Sequence, residues 1–106
     1  MTRTIRRQTR TVFVGKTGIG SFNPIRIQSM LTSESTDTEG VMREIRALND
    51  CGCELVRITI PNGKALDTAK EIRRRMESEG IALPLIADIH FNPRLAVDAC
   101  ELFEKV

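Results

Sequence analysis

The chain has 106 residues, 41% of them hydrophobic and 28% charged, which sets one soluble globular domain with a modest core as the expectation. It contains no Trp and no Tyr, which argues against a nucleic-acid surface built on base stacking. No apolar stretch is long enough for a signal h-region or a membrane span.

The net charge is only +2, but Arg3, Arg6, Arg7, Arg10, Lys16 and Arg26 all precede the first acidic residue, Glu34. Such a basic arm suits nucleic acid, an anionic membrane or an anionic ligand. A solvated tail is the simpler account of Arg3 to Arg7. The arm is Arg-rich and acid-free, as transit peptides are, yet poor in Ser, and strand-like Val12-Phe13-Val14 follows directly.

Residues 11–15 and 18–20 read as a short hairpin. After the turn signal Asn23-Pro24, residues 25–30 form the first strong strand. A helix over 37–50 follows, with Thr36 and Glu39 at capping-box spacing, Val41, Ile45 and Leu48 as its apolar stripe and Gly52 as its stop. Residues 54–60 are rich in β-branched side chains and form a second strand, broken by Pro61-Asn62-Gly63. The second helix covers 65–78, with Ala65, Ala69, Ile72 and Met76 on one face and Gly80 at its end. Arg73-Arg74-Arg75 reads as a solvated surface of that helix. The third strand spans 83–91. Asn92 as cap and Pro93 at the first position open a third helix, whose stripe is Leu95, Ala99, Leu102 and Val106.

Three cysteines without an export signal imply reduced thiols. Cys51 and Cys53 flank Gly52 but lack the second ligand pair of a zinc site, so buried thiols at a helix-strand turn are expected. Cys100, between apolar neighbours, reads as core.

Alternating strands and helices imply a parallel sheet with right-handed crossovers. The units recur about every 30 residues, close to the βα unit of a barrel. A closed (β/α)8 barrel needs eight such units. The fold class is therefore α/β: the first three βα units of a TIM barrel, preceded by a short hairpin, an incomplete barrel over residues 1–106. The outer strands of such a piece lack neighbours and expose edges, so poor stability alone is expected.

The stretch Ile86-Ala87-Asp88-Ile89-His90-Phe91 carries the chemistry. Strand residues alternate faces, so Asp88 and His90, the only histidine, point the same way. Strand carboxyl ends are where barrels handle ligands. If the polar faces point inward, Gln28, Arg57, Thr59, Asp88 and His90 converge at the barrel top. A guanidinium inside an apolar strand is costly unless it meets an anion. For Arg57 that anion is either a phosphate or carboxylate ligand or an internal partner, most obviously Asp88. His90 suits an acid, a base or a charge-assisted donor, against a purely structural imidazole. Asp88 alone is weak evidence for a metal. Gln28 and Ser29 suit a ligand contact or a strand end. No Walker-type loop and no dinucleotide fingerprint is present, and Gly15-Lys16-Thr17 lacks the upstream glycine of a phosphate loop.

Three stretches carry a resemblance. They are Thr9-Arg10-Thr11-Val12-Phe13-Val14-Gly15 with Pro24-Ile25-Arg26-Ile27-Gln28-Ser29-Met30, then Cys53-Glu54-Leu55-Val56-Arg57-Ile58-Thr59, then Pro84-Leu85-Ile86-Ala87-Asp88-Ile89-His90-Phe91. In this order and spacing they resemble the amino-terminal barrel of the 4-hydroxy-3-methylbut-2-enyl diphosphate synthases of the non-mevalonate isoprenoid pathway. The opening is most similar to the longer plant and chlamydial form. The resemblance implies an oxidoreductase that opens the ring of 2-C-methyl-D-erythritol 2,4-cyclodiphosphate with two electrons. A 4Fe-4S cluster, fed by ferredoxin or flavodoxin, supplies them. Arg57 and His90 match the family's diphosphate-binding arginine and histidine, Asp88 the adjacent aspartate with an orienting role, and Gln28 the Gln-Ser-Met segment.

The resemblance also implies that the cluster belongs to a carboxy-terminal domain not in this chain. Cys51, Cys53 and Cys100 do not match its ligand positions, so this piece is expected to bind no cofactor and to be inactive alone. A homodimer is expected at full length, with neither nucleic acid nor membrane as partner. The expected compartment is the bacterial cytoplasm, or the plastid for a plant-type source. The alternative is a non-catalytic, anion-binding or oligomerising half-barrel; a pterin-type barrel synthase is a third class with similar barrel-top chemistry.

Overall fold

The computed structural model describes residues 4–106, so Arg3 of the basic arm lies outside the described residues. Two short strands, β1 (Val12–Val14) and β2 (Thr17–Ile19), pair antiparallel as the expected hairpin. Gly15 turns it with φ +61°, and Gly20 leaves it with φ +88°. A side chain at Gly20 would collide with the Arg10 carbonyl, so this hairpin exit requires glycine twice over.

Three βα units follow: β3 (Gln28–Met30), α1 (Thr38–Asp50), β4 (Leu55–Thr59), α2 (Gly63–Ser78), β5 (Leu85–Asp88) and α3 (Pro93–Ala99). The strands pair in parallel in the order β3-β4-β5. The sheet is open, as a three-unit piece of a barrel must be.

The outer face of the sheet carries Val56, Ile58, Leu85 and Ala87, which pack with Val41, Met42 and Ile45 of α1 and the expected stripe of α2 into the main core. A second, smaller cluster joins Val14 of the hairpin to Leu55 and Ile86 on the inner face. The hairpin thus plugs the amino-terminal end of the inner face and leaves the carboxyl end open.

Several expectations are corrected. The cap of α1 is Asp37, whose carboxylate accepts from Gly40 N, instead of a Thr36–Glu39 box. Glu39 is turned across to Arg75 on α2. The first strand is only three residues long, because Ile27 O accepts from both Glu54 N and Leu55 N and breaks the regular ladder before Gln28. The third strand ends at Asp88 and the third helix at Ala99.

Past Ala99 the chain turns, buries Phe103 and returns to the sheet. There Lys105 makes a parallel bridge with Ile86, with Ala87 N donating to Lys105 O at 2.9 Å. The outer edge of β5 is therefore partly covered, while β3 keeps an open edge among the described residues.

The arginine run is less solvated than expected. Arg73 donates to Leu102 O at 2.6 Å and to Glu104 at 2.8 Å, while Arg75 donates to Glu39 at 2.6 Å; only Arg74 pairs within its own helix, with Glu71. Cys51 and Cys100 are exposed and Cys53 is half-buried, so the expected buried thiols are not found. Both exposed cysteines sit at helix ends, outside the apolar stripes.

Candidate functional site

The packing of the helices decides which way the strands face. Because α1 and α2 claim Val56 and Ile58, the alternation of β4 turns Leu55, Arg57 and Thr59 to the inner face. In β5 the same rule turns Ile86 and Asp88 inward. Register then aligns Met30, Arg57 and Ile86 in one row and Thr59 with Asp88 in the row above. Leu55 in the lowest row and Ile86 beside Arg57 meet the hairpin, while Arg57 and Asp88 carry the charge of the upper two rows.

Arg57, Asp88 and His90 come together. Arg57 Nε lies 3.7 Å from Asp88 Oδ2, too far for a hydrogen bond. Arg57 Nη2 donates to Met30 Sδ at 2.9 Å, a weak acceptor for so strong a donor. Arg57 Nε itself is buried and has no hydrogen-bond partner. His90 Nε2 stands 2.9 Å from the other carboxylate oxygen, Oδ1 of Asp88. Asp88 is thus a shared counter-ion, its side chain 21% exposed, between a half-buried guanidinium and a largely exposed imidazole. The group holds a cationic fork whose donors are incompletely used.

Gln28 does not join them. It pairs with Leu55, two positions below the Met30–Arg57 row, and borders a cleft lined also by Gly20, Asn23 and Lys105. Thr59 faces the site, and its carbonyl accepts from Ser35 Oγ.

Two features were missed by sequence reasoning. The first is Glu44 of α1, whose carboxylate accepts from Ser33 N at 2.6 Å, Thr32 N at 3.0 Å and Thr32 Oγ1 at 3.1 Å. It fixes the loop over residues 31–35, which walls a cleft at the carboxyl ends of β3 and β4. Burial pushes this carboxyl up, but the bonds from Ser33 and Thr32 outweigh it and hold its pKa below the ordinary value. A lone acidic residue on an amphipathic helix gives no signal of that task.

The second is Phe91. Its φ is +59°, a left-handed backbone that is a genuine outlier for a bulky side chain and costs about 1–2 kcal/mol. The side chain is fully exposed, and its ring centroid lies 6.2 Å from that of His90. The turn it makes lets Asn92 cap α3 immediately, with Asn92 Oδ1 accepting from Leu95 N at 3.0 Å. Sequence reasoning included Phe91 in the key stretch but had no means of seeing its backbone.

Cys53 Sγ is engaged with Leu55 O at 3.1 Å, and Cys100 Sγ with Ala96 O at 3.3 Å. No group of three His, Cys, Asp or Glu side chains among the described residues is placed to hold a metal ion. Among the described residues, no helix is long and apolar enough to cross a membrane.

Fold and site together define a class: a segment of an α/β barrel whose inner sheet face carries a clustered arginine, aspartate and histidine. Residues 9–106 match the GcpE TIM-barrel domain, and the chain belongs to that family. It is 46% identical over 101 residues to a 4-hydroxy-3-methylbut-2-en-1-yl diphosphate synthase (flavodoxin) of Leptospira interrogans, covering 95% of this chain and 15% of the relative. It is 43% identical over 101 residues to the flavodoxin-type synthase of Chlamydia muridarum, covering 95% of this chain and 17% of that protein. The chloroplastic, ferredoxin-type synthase of Arabidopsis thaliana is 42% identical over 104 residues, covering 98% of this chain and 14% of the plant protein. The chain therefore spans about one sixth of the length of these relatives.

Proposed function

We propose that this chain is the substrate-anchoring part of a 4-hydroxy-3-methylbut-2-enyl diphosphate synthase, an oxidoreductase of isoprenoid biosynthesis. In this reading the whole protein reductively opens 2-C-methyl-D-erythritol 2,4-cyclodiphosphate. The observation that carries it is Arg57, in the middle of β4 on the inner sheet face, whose partly exposed guanidinium finds only a thioether and a carboxylate 3.7 Å away. A phosphate oxygen meeting the exposed part of the guanidinium is a far stronger acceptor than the Met30 thioether.

Each side chain has a task in this reading. Arg57 binds the diphosphate, and Asp88 orients both Arg57 and His90. His90 offers a donor or a positive charge to a second phosphate oxygen. Gln28, one row lower, lines the floor beneath the ligand. The apolar plug of Val14, Leu55 and Ile86 keeps water from the floor, which strengthens every charge interaction above it.

The electrons come from a 4Fe-4S cluster. The resemblance assigns its ligands to another part of the whole protein, not to Cys51, Cys53 or Cys100. The relatives' names specify flavodoxin or ferredoxin, and one of the two is the donor. We further propose a homodimer for the whole protein, in the bacterial cytoplasm, or in the plastid if the source is plant-like, as the chloroplastic relatives are.

The test is turnover of the cyclodiphosphate by the full-length protein with a reduced donor. Arg57→Ala raises KM at least tenfold, and product formation that is indifferent to Arg57 and His90 contradicts the assignment. One observation favours a second reading: the open edge of β3, beside exposed Ile25, Ile27 and Met30, suits pairing with another copy. A half-barrel of that kind sediments as a dimer and binds diphosphate without any redox activity.

A further inference from the structure

Phe91 combines a strained backbone with an exposed ring: the turn serves the cap of α3, but glycine would serve that turn with less strain. Its backbone is left-handed, at φ +59°, where glycine or asparagine sits with less strain. Its ring is fully exposed, so burial among the described residues returns nothing for the strain. Strained backbone conformations cluster at ligand sites. Here it falls one residue after His90 and three after Asp88, with the phenyl ring 6.2 Å from the imidazole and tilted 43° to it. The ring therefore stands at the mouth of the ionic row, beside its most exposed member.

We propose that Phe91 is a ligand-binding residue that forms the apolar wall of the diphosphate site, contacting the carbon skeleton that carries the phosphates. The inference rests on the reading that Arg57 and His90 hold a diphosphate. Arg57 and His90 recognise only charge and phosphate oxygens and cannot tell an organic diphosphate from the inorganic ion. An aromatic face beside them supplies that distinction, because it gains contact only from carbon. It also displaces water from the phosphates and so strengthens the Arg57 and His90 contacts. Strain in the backbone is the consequence of aiming a large ring at the mouth from a turn that must also cap α3 within one residue.

The experiment compares two anions on the full-length protein: KM for the organic cyclodiphosphate, and Ki for inorganic diphosphate as a competitive inhibitor. Phe91→Ala and Phe91→Gly each raise KM about tenfold, the scale of losing one or two apolar carbon contacts, and leave Ki within twofold. Phe91→Leu recovers most of the loss. Glycine suits the left-handed backbone, so Phe91→Gly folds and melts higher than Phe91→Ala. Arg57→Ala weakens both anions alike. If Arg57→Ala weakens both while neither Phe91 variant changes the ratio of KM to Ki, the inference fails and the diphosphate reading stands. A lower melting temperature for both Phe91 variants with that ratio unchanged also overturns it, since the ring then packs against protein. If Arg57→Ala weakens neither anion, the site is elsewhere and both readings fall.

Discussion

Replacing Arg57 by Met separates what the arginine does for folding from what it does for a ligand. Arg57 Nε is buried without a hydrogen bond, and an unsatisfied buried donor costs about 1–3 kcal/mol. Against this stands the ion pair with Asp88 at 3.7 Å. Two unit charges at about 4 Å are worth ~1 kcal/mol in water and ~4 kcal/mol near a protein surface. With the Arg57 side chain 37% exposed, screening and side-chain entropy bring this toward ~1 kcal/mol. Met keeps the stem and its apolar contacts, and Asp88 keeps His90 at 2.9 Å. The net expectation is a protein about 1 kcal/mol more stable, or about 2–4 °C higher in Tm for a domain of barrel size. Diphosphate affinity moves the other way. Loss of a charge-assisted fork costs about 2–3 kcal/mol, roughly 30- to 150-fold in Kd. The assays are thermal melting without ligand and calorimetric titration with inorganic diphosphate on the same preparation. A Tm lowered by several degrees with binding retained refutes the reasoning and makes Arg57 a structural ion-pair residue. The expected pattern is that of a site kept strained for function.

Three further outcomes follow from the geometry. Glu39, Glu54 and Glu79 have pKa values lowered from 4.5, chiefly by hydrogen bonds from Arg75, Arg26 and Arg46 respectively, and the bonds to Glu44 lower its pKa as well. Folded values below the unfolded ones mean that this stability is fully present above about pH 4.5 and is lost as pH falls through the lowered range. Urea midpoints should be flat from pH 6 to 8 and drop below pH 4.5, and Glu44→Gln should shrink the drop; a midpoint that rises on acidification contradicts the sign. Glu104→Ala removes the acceptor of Arg73 and of Leu85 N, each at 2.8 Å, and should cost about 1–3 kcal/mol. Hydrogen exchange should then speed at the Ala87 amide, which donates to Lys105 O, and unchanged protection there would show that the returning segment holds itself. Asp37→Ala should cost about 1 kcal/mol as the loss of the α1 cap, and Thr36→Ala almost nothing; equal costs in urea melts would restore the capping box.

What the residues determine by themselves is what depends on near neighbours in the chain. The α2 stripe of Ala65, Ala69, Ile72 and Met76 is buried as its spacing requires, because helical bonds span four residues. Asn92 with Pro93 opens α3 for the same local reason, since cap and first turn are adjacent in sequence. The hairpin and the order of the βα units were readable, and alternation sets Arg57 and Asp88 on the face opposite their apolar neighbours, but that this face points inward is decided by the packing of α1 and α2 on the other one.

Tertiary structure alone decides whatever depends on distant partners. The third helix stops at Ala99 because Phe103 finds the core and Glu104 finds Arg73, 31 residues away. Arg75 leaves solvent for Glu39 because α1 and α2 lie side by side, a neighbourhood no local window contains. Gln28 stands a row below Arg57 because register, not composition, sets the height of a strand residue. The left-handed turn at Phe91 is likewise invisible in the residue type, which argues against it. It exists because the chain must pass from β5 into α3 within four residues while Asp88 and His90 remain on the inner face.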